Sequence, residues 1–181
     1  MEKRARRRGR EIALQVLYQA DTQGQLTAEE ALLLHASHFG RPTADEPVAP
    51  SSLPGSHDAE ADPLSPEEQL AASELATRIV RGVLGAREEI DALVQKASRN
   101  WRLERMARVD RNLLRIGAWE LSRSQDVPAK VAINEAIEIA KRFGTAESAA
   151  FVNGILDRCL EELGRKGEAR TNDTPGTARG K

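Results

Sequence analysis

Apolar residues recur every three or four positions through most of this chain and nowhere alternate over a strand length. Segment 4–22 places Ile12, Ala13, Val16, Leu17 and Ala20 on one helical face. Thr27 and Glu30 form a capping-box pattern, with Leu26 and Ala31 as a weak staple, opening a helix to about Phe39. Ser65-Pro66-Glu67-Glu68 supplies an N-cap, a first-turn proline and a glutamate three residues after the cap. Ala72, Leu75, Ala76, Ile79, Val80 and Val83 then repeat on one face, followed by Ile90, Leu93, Val94 and Ala97. Val109, Leu113, Ile116, Gly117 and Leu121 mark the next helix. Pro128 opens another through Phe143, with Gly144 as its expected left-handed C-cap. The last runs from about Ala146 to Leu163 on Val152, Ile155, Leu156 and Cys159.

This pattern predicts an all-α fold with an aliphatic core, since the chain has only two Trp, one Tyr and three Phe. Gly117 and Gly154 fall inside helical patterns, where glycine costs about 1 kcal/mol relative to alanine. Close helix–helix approach is the expected reason at both. Residues 41–66 hold six of the eight prolines and few large apolar groups, so a disordered insertion is expected there. Residues 164–181 read as a disordered tail. What is left, about 137 of the 181 residues, suffices for one compact core within 1–163.

Composition narrows the chemistry. One cysteine, Cys159, excludes a disulfide framework and a Cys-rich zinc site. His35 and His38 lie three apart without a third ligand, and His57 falls in the insertion, so no metal site is expected. Cys159 lies on an apolar helix face and reads as an inert buried thiol. No strand exists to carry a Gly-rich nucleotide loop. No catalytic constellation and no cofactor motif emerges. No apolar run approaches the roughly 20 residues needed to cross a bilayer, and the basic N-terminus lacks an apolar stretch. A cytoplasmic location is the resulting expectation.

The net charge is −1, but its distribution is uneven. Residues 1–10 carry six basic groups against Glu2, residues 11–40 four acids and no Lys or Arg, and residues 41–66 a net of −4. A basic block on a neutral molecule points to a local anionic contact; a solvated terminal tail is the other account. On a helix at 100° per residue, Arg7 and Tyr18 point within about 20° of each other, with Arg4 one turn before Arg7 and Arg8 beside it. Guanidinium forks that neutralise phosphate, next to a ring on which a base can lie, suit single-stranded nucleic acid. Equally, Tyr18 can belong to the core while the arginines solubilise the helix end.

The second half carries longer motifs. Asn100-Trp101-Arg102-Leu103-Glu104-Arg105 is followed by Val109-Asp110-Arg111-Asn112-Leu113-Leu114-Arg115-Ile116. Then come Asp126-Val127-Pro128-Ala129-Lys130-Val131-Ala132-Ile133-Asn134-Glu135-Ala136-Ile137-Glu138 and Phe143-Gly144, with Phe151-Val152-Asn153-Gly154-Ile155-Leu156-Asp157 after them. With the opening Ala5-Arg6-Arg7-Arg8-Gly9-Arg10-Glu11 and Leu17-Tyr18, the chain resembles the NusB family of bacterial transcription antitermination factors. The resemblance covers about 1–40 and 67–163, and departs at the long insertion 41–66 and in the tail.

The resemblance implies two packed three-helix bundles, 1–84 including the insertion and 85–163. It implies binding to the boxA element of nascent ribosomal RNA together with NusE, a small-subunit ribosomal protein. The complex then acts on RNA polymerase with NusA and NusG to promote read-through and rRNA maturation. By the same resemblance the RNA surface comprises Arg6, Arg7, Arg8, Arg10 and Tyr18, completed by Glu147 and Phe151 at the start of the last helix. An acid at Glu147 would limit affinity, and Phe151 would either stack on a base or join the core. The NusE surface would fall on Glu104, Asp110 and Leu113, where rim carboxylates meet basic groups. Two rival readings remain: a helical protein–protein adaptor that does not bind RNA, and a stand-alone relative of the N-terminal domain of an RNA cytosine methyltransferase. Monomer or homodimer stays open.

Overall fold

A computed structural model describes residues 3–24, 26–39 and 64–164. Two helix starts, those of α2 and α3, are fixed by the capping boxes read from the sequence. Helix α1 spans Lys3–Gln23, α2 Ala28–Phe39, α3 Pro66–Gly85 and α4 Arg87–Ala97. A 3-10 turn at Leu103–Arg105, which the periodicity does not show, leads to α5 (Arg108–Arg123), α6 (Ala129–Phe143) and α7 (Ser148–Glu162). Among the described residues there is no strand. The Thr27 backbone N–H donates to Glu30 at 2.8 Å, and the Glu30 N–H to the Thr27 hydroxyl at 3.3 Å. Ser65 and Glu68 make the same reciprocal box, with Pro66 inside the first turn. Pro128 stands as the N-cap of α6. The expected insertion and tail lie outside the described residues, apart from Leu64, Ser65 and Pro66 at one edge and Gly164 at the other.

Helices α1, α2 and α3 pack on one another, as do α5, α6 and α7, while α4 lies against α5 and α7. Helix α5 joins the two groups, touching α1 and α3 on one side and α4, α6 and α7 on the other. Its Leu113, Leu114, Ile116, Ala118 and Leu121 are all buried in one continuous aliphatic core with Leu14, Leu17, Ile79, Val83, Ile139 and Leu156. Burial on this scale, at about 25 cal/mol per Å² of apolar surface, is what holds helices that would be marginal alone.

Two glycine expectations need correction. At Gly117 an added Cβ would stand 2.6 Å from a Leu156 methyl, so α5 and α7 do approach closely there. At Gly154 nothing lies within 4 Å of that position, so no close approach explains it. Gly144 is not left-handed: its φ is −97°. A side chain there would meet Ser148 and the Ala140 carbonyl oxygen, so crowding at the α6–α7 corner, not handedness, is the constraint.

Candidate nucleic-acid interface

The first three turns of α1 pack on α3 and α5 and reach α6 through ion pairs, and carboxylates of α1, α5 and α6 sort its arginines into two kinds. Arg10 is 1% exposed. Its Nε and Nη2 donate to both oxygens of the equally buried Glu120 on α5, at 2.8–3.1 Å. Arg10 is therefore not on a surface that RNA can reach. Its guanidinium is consumed inside the molecule, which corrects its expected place among the RNA-binding residues.

Arg7 and Arg8 are different. The Arg7 side chain, 35% exposed, donates from Nε and Nη2 to Glu135 on α6, each at 3.0 Å. That contact raises the Arg7 pKa, by the Glu135 hydrogen bond first, and keeps the group charged. Arg8 donates to Glu11 Oε2 at 3.3 Å, and Arg142, from the end of α6, donates to Glu11 Oε1 at 2.8 Å. Glu11 and Glu135 have almost no exposed side chain, whereas the arginines they hold are each about one-third exposed. Buried carboxylates thus sit beneath partly exposed guanidiniums and fix their direction, with the Arg7–Glu135 contact bidentate. Arg6 is half-buried on the adjacent side of α1. Tyr18 is half-buried as well and packs on the core.

At the start of α7, Glu147 is exposed, and its Oε2 accepts the Thr145 hydroxyl at 3.0 Å. Phe151 rests partly on the core and meets Trp101 edge to face, with centroids 6.0 Å apart. Trp101 is 57% exposed. An exposed tryptophan edged by a phenylalanine is a platform on which an unpaired base can stack. The sequence holds Trp101 within a motif, but nothing in it marks the ring as exposed. Arg142 and Glu135 are likewise absent from the expected site, because pairings across 131 and 128 residues leave no local signal; Glu11 is absent too, although its pairing with Arg8, three residues away, is local.

The expected protein-binding residues separate. Glu104 is exposed on the 3-10 turn. Leu113 is fully buried in the core and offers nothing to a partner, a correction that follows from its position on the inner face of α5. Asp110 is also buried rather than presented; its Oδ1 has no hydrogen-bond partner, and burial raises its pKa against the opposing Ser148 hydrogen bond. The neighbouring Arg111 and Arg115, both inside the signature, turn inward to Asp21 on α1, which Arg87 and Asn112 also reach. Arg115 further bridges Asp91 at 2.7 and 2.9 Å. Burial of Cys159 pushes its thiol up to about 12, which makes it unreactive near neutrality. Among the described residues no side-chain group could hold a metal ion, and no helix is long and apolar enough to cross a membrane.

Comparison with known proteins agrees with this architecture. The transcription antitermination protein NusB of Myxococcus xanthus is 43% identical over 161 residues, covering 89% of this chain and 98% of the relative. The protein of the same name from Geobacter sulfurreducens is 44% identical over 163 residues, covering 90% and 99%. The crystal structure of T. maritima NusB superimposes with a TM-score of 0.64 at 32% identity, covering 87% of this chain and 91% of that one. The fold is also shared, with a TM-score of 0.65 at 21% identity and coverage of 89% and 99%, by a crystal structure of antitermination factors NusB and NusE in complex with dsRNA. A family model described as NusB family matches residues 7–161, and the chain belongs to that family.

Proposed function

We propose that this chain is a non-enzymatic antitermination factor that grips unpaired RNA, the boxA element of nascent rRNA, through the exposed arginines of α1. It does so together with NusE, and the assembly acts on RNA polymerase with NusA and NusG to favour read-through and rRNA maturation. The observation that carries the reading is the set of half-exposed guanidiniums on α1, held from beneath by buried carboxylates of α1 and α6. Arg6, Arg7 and Arg8 are the α1 contacts. Phe151, with Trp101 at its edge, offers the stacking surface, and Tyr18 braces the helix from the core side. Glu147 opposes phosphate and limits affinity. Of the residues expected to meet NusE, Glu104 is the one exposed.

Arginine–phosphate contacts release counterions, so affinity should fall with salt. Three single-strand contacts give a log–log slope near −2, roughly a tenfold or larger loss between 50 and 200 mM salt. Fluorescence anisotropy with a labelled boxA strand, with and without NusE, reads this directly. The variant R6Q/R7Q/R8Q keeps neutral donors facing Glu135 and Glu11 but removes the charge. It should lose RNA binding while helicity by circular dichroism and NusE binding persist. Absence of RNA binding by the wild-type protein at every salt concentration, with NusE present, would overturn the reading and leave a protein-binding adaptor.

A further inference from the structure

The connection from α4 into the first residue of α5 carries four arginines, Arg99, Arg102, Arg105 and Arg108, against one acid, Glu104. All five residues are exposed. Exposed arginines on other elements are paired: Arg78 with Asp126, Arg81 with Glu29 and Arg123 with Glu89. Among the described residues none of these four guanidiniums has a hydrogen bond or an ion pair. The register of the segment keeps them outside. Leu103 and Met106 turn into the core, so Arg102 and Arg105, each one residue earlier and likewise three apart, stay on the outer side of the 3-10 turn.

Trp101 stands among them, exposed and edge to face with Phe151. Its main chain is tied down. The Trp101 carbonyl accepts from the hydroxyl of buried Ser98 at 2.9 Å and from Gln95 Nε2 at 3.1 Å, and Gln95 Oε1 accepts the Leu103 N–H at 3.2 Å. The indole is therefore held outward and is not a frayed loop tip. At the far end of the segment, Asp110 lies in the first turn of α5 beside Ser148, the first residue of α7. The stretch from Trp101 to Asp110 thus runs along the start of α7, where Glu147 and Phe151 lie.

From this we infer that the arginine segment between α4 and α5 is a second RNA-contact surface, which takes the single strand flanking boxA beyond Phe151. The proposal rests on the RNA-binding reading above and extends it. A guanidinium without a carboxylate partner has no ion pair to give up when it meets a phosphate, and its planar fork fits the phosphate oxygens. Phosphates meet Arg102, Arg105 and Arg108 while a base lies on Trp101, the combination of basic track and ring that holds unpaired strands with little regard to sequence. The indole favours RNA over an acidic protein, for which charge alone would serve.

The test compares, on the full chain with NusE present, fluorescein-labelled boxA RNA with the same strand extended at its 5′ or 3′ end by about ten uridines, within the span of a single-strand site. The readout is the ratio of the two affinities, so any change in boxA binding itself cancels. In the wild type one extension should tighten binding at least about tenfold at 50 mM salt and steepen the log–log slope by about 2, three single-strand phosphates. R102Q/R105Q/R108Q should lose that gain. A wild type that binds boxA but gains from neither extension, or a gain retained in the triple variant, would overturn the second surface and leave the RNA-binding reading intact. Binding of neither strand by the wild type would overturn that reading itself. Loss of NusE binding in the triple variant, with the RNA gain retained, would assign the segment to a protein instead. Should the triple variant fold poorly, 4-thiouridine in the extension decides: crosslinks on the wild type should fall within 99–108, and crosslinks confined to other segments would overturn the proposal.

Discussion

Replacing Arg10 by methionine removes one side of a buried ion pair while keeping most of the side chain's apolar volume. Glu120, 1% exposed, must then either bury its charge or take up a proton. Neutralising a glutamate of ordinary value 4.5 at pH 7 costs about 3.4 kcal/mol, which caps the charge penalty. That figure falls within the roughly 3–5 kcal/mol typical of breaking a buried pair from one side. For a chain of this size it corresponds to a fall in Tm of about 7–14 °C, read by circular dichroism. The pH dependence carries a second signature. In R10M the Glu120 carboxyl has a higher pKa folded than unfolded, so the folded state binds the extra proton. Stability therefore rises as pH falls from 7 towards the ordinary glutamate value, by up to about 1.4 kcal/mol per unit. The wild type, with its pair intact, should recover less over that window. Replacing both partners, as R10M/E120L, should restore most of the lost stability, because apolar residues of similar volume often substitute for a buried pair at little cost. RNA affinity measured well below Tm should stay within about twofold in both variants. An R10M protein that melts like the wild type yet loses RNA would refute the interior assignment of Arg10 and return it to the binding surface.

Other perturbations have equally definite outcomes. Burial alone would raise the Asp21 carboxyl, but the Arg111 hydrogen bond and the charges of Arg115 and Arg111 outweigh it and hold the pKa below the ordinary 3.8. A depressed folded-state value adds stability that is full above the ordinary value and is lost as pH falls through the folded one. Thermal melts from pH 6 to pH 2 should therefore show the wild type losing more stability than D21N below pH 4, and parallel curves would refute the network's contribution. At Gly9 an added Cβ would lie 2.8 Å from the Ala72 carbonyl oxygen and 3.0 Å from Leu75 Cβ. Because backbone cannot swing aside, G9A should cost about 1–3 kcal/mol by urea denaturation, and no change would mean that α1 and α3 are not in such close contact. L113A should destabilise by about 2–5 kcal/mol through a core cavity, again by urea denaturation. NusE affinity of the folded fraction should hold, and its selective loss would return Leu113 to the interface.

The fold was legible because its determinants are local. Capping boxes at Thr27 and Ser65, Pro128 at the head of α6, and apolar residues at helical spacing each act within a few residues, and each appears where the periodicity puts it. What periodicity could not see was how helices press on one another. Gly117 and Gly154 look alike in sequence, each inside an apolar helical pattern, yet Leu156 stands against the first and nothing against the second. Gly144 was similarly opaque, since a glycine after a helix suggests a left-handed turn unless the next helix is known to fold back onto it.

Charge presents the harder case, for a basic run states how many guanidiniums are present and not which are already committed. Arg6, Arg7, Arg8 and Arg10 are equivalent in composition. Their differences come from Glu120, Glu135 and Glu11, two of which reach α1 only after more than a hundred residues of chain have folded. Arg10 meets its acid in the interior and is neutralised there. Arg7 and Arg8 meet theirs from beneath and keep an outward side. The same helix therefore uses one arginine to hold the bundle together and keeps others partly exposed at its surface. Glu120 and Glu135, distant in sequence, set the places of Arg10 and Arg7, while Glu11, three residues from Arg8, brings Arg142 beside it from outside the basic run. Counting positive charge along α1 would put all five of its arginines on the surface; following the paired ones to their acids removes Arg10 and sets Arg142 of α6 beside Arg8.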